Sequence, residues 1–164
     1  MREVLEAVVG EYRRYKGLAE ATFDRLTPAE LAHVPAAEGN SVAMLVWHIS
    51  GNLKSRFTAF LTSDGEKPWR QRESEFDERQ VSLVELRRKW DEGWDVLFGS
   101  LSQLSDADLS KQVSIRGEAL SVRAALFRSV THTSYHVGQI VLLGKSLRGS
   151  AWRSLSIPRA RRGA

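Results

Sequence analysis

Apolar residues recur along most of this chain at steps of three and four, the period of a helix with one buried face. In the first segment Val4, Leu5, Val8, Tyr12, Tyr15, Ala19, Thr22 and Leu26 form such a stripe. It stops at Thr27-Pro28-Ala29-Glu30, where Thr27 suits a cap, Pro28 a first helical position and Glu30 the return contact of a capping box. Pro35 follows so soon that only a short turn is predicted, with His33 as an exposed loop histidine. A second long helix is predicted from Asn40 or Ser41 to about Thr62, burying Val42, Leu45, Val46, Ile49, Leu53, Phe57 and Phe60. Ser82-Leu83-Val84-Glu85 is another capping box and opens a third, whose stripe is Leu83, Leu86, Trp90, Trp94, Leu97, Leu101 and Leu104. Trp90 and Trp94 are expected in the core or in a pocket wall. The fourth spans roughly Val122 to Leu147 and buries Val122, Leu126, Val130, Val137, Ile140, Val141 and Leu143, with Gly144 allowing close approach.

Two stretches break the period. Between Ser63 and Val81, Gly65 and Pro68 bar a continuous helix, while Trp69 and Phe76 make the segment too aromatic for a loose linker. A crossover packed along the side of a bundle fits it, and lets the second and third helices run parallel. Gln112 to Leu120 alternates and turns on Arg116-Gly117, which predicts a small two-stranded flap. The expected fold is therefore all-α: one four-helix-bundle domain of 164 residues with a long crossover between its second and third helices.

Composition removes several kinds of function. The chain has no cysteine, which excludes disulfides, thiolate metal ligands and a thiol nucleophile of its own. No apolar run is long enough to cross a bilayer, and Arg2, Glu3 and Glu6 stand where a signal peptide would be apolar, so a soluble cytoplasmic protein is expected. The formal charge of +4 comes entirely from the tail, where Arg153, Arg159, Arg161 and Arg162 meet no acid. A nucleic-acid binder should instead carry a basic stripe on a folded face, so nucleic acid is not an expected partner.

Candidate chemistry lies in histidines. His132 and His136 stand four apart on the fourth helix and project from one face, His136 within the apolar stripe and His132 on its edge. Two buried imidazoles need partners for their nitrogens. A cation would satisfy both, and so would hydroxyls such as Ser129 or Thr133. His48, at the margin of the second helix's stripe, lies at a depth that lets it join them whether the two helices run parallel or antiparallel.

His48, the crossover and His132-x-x-x-His136 followed by Gly138-Gln139 together resemble the DinB-like (YfiT-like) superfamily of metal-dependent four-helix-bundle proteins. Three stretches are similar to a bacterial subfamily of unknown function within it: Asn40 to Asn52, Phe60-Leu61-Thr62-Ser63-Asp64-Gly65-Glu66-Lys67-Pro68, and Trp152-Arg153-Ser154-Leu155-Ser156-Ile157-Pro158. The resemblance implies an up-down-down-up bundle, often a homodimer. It implies a metal site of His48, His132 and His136 for nickel, zinc or iron, and chemistry such as that of transferases and isomerases using a low-molecular-weight thiol. Beyond Pro158 the tail departs from the subfamily pattern, with Ala160-Arg161-Arg162 in place of glycine and polar residues.

Three imidazoles would leave coordination positions open, as a catalytic metal site requires, so a metal-dependent enzyme acting on a small molecule is the leading expectation. Asn52, one turn after His48, could orient a bound ligand or make a boundary hydrogen bond; Arg56 could meet an anionic group or form a surface salt bridge. Ser129 joins them as a pocket candidate. No carboxylate stands out as a general base, since most fall on solvent faces. A non-catalytic bundle that acts by dimerising or binding a partner is the alternative.

Overall fold

Side-chain caps set the helix starts in the computed structural model, which describes residues 3–157. Arg159, Arg161 and Arg162 of the basic tail lie outside the described residues. In chain order the helices are α1 (Glu3–Phe23), α2 (Pro28–Ala32), α3 (Val42–Phe57), α4 (Leu83–Ser102) and α5 (Val122–Arg148). Thr27 and Ser82 close complete capping boxes with Glu30 and Glu85, and the Ser41 and Ser121 hydroxyls accept from the backbone N–H three residues on. Ahead of α5, β1 (Gln112–Ile115) and β2 (Glu118–Ser121) pair antiparallel, Val113 opposite Leu120. Their turn holds Arg116 at φ 55° and Gly117 at φ 77°, the double left-handed conformation that two-residue hairpins favour.

The four long helices share one core. α3 packs extensively on α4, α1 on α5, and α3 meets α5 along a thinner seam. Trp90 and Trp94 are fully buried between them, Trp90 edge-on to Phe23 at 5.4 Å and Trp94 edge-on to Tyr12 at 6.0 Å. They belong to the core and not to a pocket wall. No helix among the described residues is long and apolar enough to cross a membrane.

The expected second helix stops five residues early. Thr58 turns extended and Ala59 enters the left-handed region at φ 48°, so the helical ladder ends at Phe57. Phe60 still reaches the core, which is why the apolar period outran the helix. The early stop lets the chain fold back: the Ser55 hydroxyl donates to the Gly65 carbonyl at 2.7 Å and accepts from the Lys67 N–H at 3.2 Å. The crossover then runs along α3 through a 3-10 turn at Glu73–Phe76. Phe76 packs on His48, whereas Trp69 is half exposed and packs less than its aromatic character suggested.

Close helix contact is sharpest at Gly93 of α4, where an added Cβ would lie 2.6 Å from the Ser50 Cα. Backbone atoms cannot yield as a side-chain tip can. Gly93→Ala is therefore expected to destabilise the fold by about 1–3 kcal/mol, the usual effect of overpacking, read from the denaturant midpoint.

Candidate metal centre

His48 stands on the second turn of α3, and His132 and His136 face it from the middle of α5. The ring centroids are 5.1 Å apart for His48–His132, 4.8 Å for His48–His136 and 4.6 Å for His132–His136. One donor nitrogen from each falls within 4.8 Å of the others, so the three are positioned to bind a metal ion. His48 is 5% exposed, well inside the margin its sequence position suggested, because the crossover covers it.

Hydrogen bonds on the far side of two rings decide which nitrogen is bare. His48 Nδ1 lies 2.9 Å from Glu75 Oε2, so Nδ1 donates to the carboxylate and Nε2 keeps its lone pair. His136 Nδ1 lies 3.0 Å from Gln139 Oε1, which leaves its Nε2 bare in the same way. His48 Nε2 and His132 Nε2 are 3.1 Å apart. Bonds of about 2.0–2.1 Å to one ion put adjacent donor nitrogens ~3.0–3.4 Å apart, so this spacing fits a shared cation. The wider spacings close by small ring rotations about χ2. Neither Ser129 nor Thr133 bonds a ring nitrogen, so the hydroxyl alternative does not hold, and His132 Nδ1 is buried without a partner.

Glu75 corrects the expectation that the carboxylates keep to solvent. Its side chain is 8% exposed and takes two bonds from Arg70, Nε to Oε1 and Nη2 to Oε2, both 2.8 Å. Gly51 of α3 makes room for it, since a Cβ there would collide with the Glu75 carboxylate. Burial alone would raise the Glu75 pKa, but the bonds from His48 and Arg70 outweigh it and hold it below the usual glutamate value. With three of its lone-pair sites engaged, this ionised group orients His48, and its lowered pKa makes it a weak base. Periodicity could not find it, because Glu75 sits 27 residues beyond His48 in an irregular, charge-rich stretch.

A cavity of about 460 Å³ opens over the three rings. Asn52, Arg56 and Ser129 all line it. Asn52 is 8% exposed, and its amide makes no hydrogen bond among the described residues. Arg56 donates to the Gly65 carbonyl and to Glu66 Oε2 at 3.3 Å, a half-buried ion pair at the cavity wall. Phe57, Phe60 and Phe76 supply apolar wall. His33 is exposed in the connector that follows α2, as expected.

A family model described as "Protein of unknown function (DUF1572)" matches residues 1–161, and the chain belongs to that family, which is a DinB-like one. The fold is similar to that of a conserved protein from Enterococcus faecalis, with a TM-score of 0.75 and 19% identity over 92% of this chain and 99% of the other. It is also similar to a DinB-like protein from Bacillus cereus, with a TM-score of 0.67 and 17% identity over 87% of this chain and 91% of the other. No curated protein matches the chain.

Burial, reinforced by the nearby positive groups, pushes His132 down to about 3, and burial lowers His136 as well. Both rings are thus neutral at pH 7, the state in which an imidazole can bind a cation. In the unfolded chain they take protons at their ordinary pKa of about 6.5, so acid favours unfolding and stability rises with pH between the folded and unfolded values. Chelator-treated protein is expected to lose stability between pH 7 and pH 5, where most carboxylates stay ionised. The His132→Asn/His136→Asn double variant should flatten that slope, as measured by urea denaturation at the two pH values.

Proposed function

We propose that this DUF1572 chain is a metal-dependent enzyme of the DinB-like type, with His48, His132 and His136 holding one divalent cation, nickel, zinc or iron. The reaction class is transfer of a low-molecular-weight thiol to a small electrophile, or a metal-assisted hydrolysis. One observation carries the reading: three histidines, two of them with Nε2 bared by a hydrogen bond at Nδ1, converge on an open cavity, and among the described residues no fourth metal-binding group joins them. A structural site is normally closed by a fourth protein ligand, whereas a catalytic one keeps a position for substrate or water. When bound, such a cation lowers the pKa of a coordinated water or thiol toward neutrality.

The chain's own groups have distinct tasks. Glu75 and Gln139 hold His48 and His136 in the ligating tautomer. The unpaired Asn52 amide, one turn beyond His48, orients the ligand in the cavity. Phe57, Phe60 and Phe76 keep water from the inner wall. An up-down-down-up course of the four long helices and a cytoplasmic homodimer complete the proposal.

The second reading is a non-catalytic bundle in which the histidines tie α3 to α5. It is favoured by the His48–His132 contact, in which the two Nε2 atoms lie 3.1 Å apart, within hydrogen-bond reach across the two helices. Elemental analysis of protein purified without an affinity tag, followed by thiol consumption with an electrophile with and without chelator, separates the two. The enzyme reading expects stoichiometric metal, lost in each of His48→Ala, His132→Ala and His136→Ala with little change in melting, and chelator-sensitive turnover. A steep fall in melting temperature on chelation, with no turnover, overturns it for the structural reading. Glu75→Gln should weaken zinc or nickel binding by about 10- to 100-fold in a competition titration, because the His48 tautomer is then no longer held by a charge.

A further inference from the structure

Among the described residues, the cavity over the histidines is lined by Arg56, Arg70, Arg72, Arg116 and Arg128 and by no aspartate or glutamate. Five guanidiniums facing one space repel each other unless they are matched. Three carboxylates pair with them: Glu66 with Arg56, Arg70 and Arg116, Glu73 with Arg72, and Glu75 with Arg70. Two positive charges are left over before any cation is bound.

The surplus can be located. The Arg70 side chain is 2% exposed and spends its fork on Glu75, so it is structural. Arg56 is held by the Gly65 carbonyl and Glu66, and Arg72 by Glu73 and the face of Phe76. Arg116 gives only its Nε to Glu66, at 2.9 Å, and keeps both terminal amino groups free. Arg128 has no hydrogen bond, ion pair or ring contact for its side chain among the described residues. It lies one turn before His132 on the same face of α5.

Arg116 is also held in place from beneath. Asp64 Oδ1 accepts the N–H of Arg116 at 2.9 Å, and its Oδ2 accepts the N–H of Gly117 at 2.8 Å and the Ser114 hydroxyl. The Gly65 N–H donates to the Ser114 carbonyl at 2.7 Å. The hairpin turn is thereby clamped to the crossover, with its arginine on the cavity. A rigid turn carrying an under-used guanidinium, beside an unpaired one on a helix, makes an oxyanion receptor. Planar forks of N–H donors fit carboxylate and phosphate alike.

We propose that the substrate of this site is a small molecule carrying a carboxylate or phosphate, which Arg116 and Arg128 hold on the solvent side of the cavity while its reacting group lies at the three histidines. This rests on the reading of the histidines as the reaction centre, and the test keeps the two apart. Tag-free protein loaded with zinc is titrated calorimetrically with inorganic phosphate and, separately, with succinate, at low and at physiological salt.

The expected result is saturable binding of at least one anion, weakened by salt. Arg128→Gln alone should weaken it about tenfold and the Arg116→Gln/Arg128→Gln double variant about a hundredfold, as lost charge-assisted bonds predict. Zinc content should stay unchanged in both, and Arg88→Gln, on the exposed face of α4 away from the cavity, should bind as the parent does. Tighter phosphate identifies a phosphorylated substrate, and tighter succinate a carboxylate. Absence of saturable binding, or equal binding by the double variant, overturns the proposal even if zinc is held. Arginine-dependent binding by protein that holds no zinc upholds the anion site and overturns the metal reading instead.

Discussion

A carboxylate taken out of water must be matched at once, and Glu75 is the carboxylate on which this site depends. Arg70 occupies both its oxygens from one side and His48 takes a further lone pair from the other. Leaving one member of such a buried pair alone costs about 3–5 kcal/mol, so the three groups hold each other in place. The consequences run outward. The crossover must lie against α3, Gly51 must lack a side chain, and the His48 ring must present Nε2 to α5. The orientation of the His48 ring is thus a by-product of solving an electrostatic problem.

Two further carboxylates do related work nearer the surface. Asp64 gathers backbone N–H groups of Glu66, Arg116 and Gly117 together with the Ser114 hydroxyl, which holds it ionised well below the usual aspartate range. Glu66 gathers arginines from α3, the crossover and the hairpin. Burial would raise its pKa, and the pairing with Arg116, Arg56 and Arg70 brings it down instead. Both belong to the Phe60–Pro68 stretch whose resemblance to a subfamily was visible in the sequence. The structure supplies the reason those residues go together: they fasten the hairpin and the crossover to each other over the α3–α5 seam.

Rigidity beneath the cavity comes from elsewhere. Phe23, Trp90, Trp94 and Tyr12 interlock edge-on across α1 and α4, and Gly93 brings the α4 backbone against Ser50. The well-packed pairs α3–α4 and α1–α5 carry the core, while the thinner α3–α5 seam is where polar rings and open space are tolerated. A site built on helices of a packed core keeps its ligands in register better than one carried by loops.

The linear sequence determined the long helices, the caps at Thr27 and Ser82 and the Arg116-Gly117 turn, because each depends on neighbours within a few residues. His132 and His136 were legible as a pair for the same reason, a fixed spacing on one helix. His48 needed the family resemblance, since nothing local ties it to residues 84 positions away. Glu75, Arg70 and the free guanidinium of Arg128 were decided by tertiary structure alone. Burial and pairing are properties of what the chain brings together, and in a crossover without periodicity no spacing foretells them.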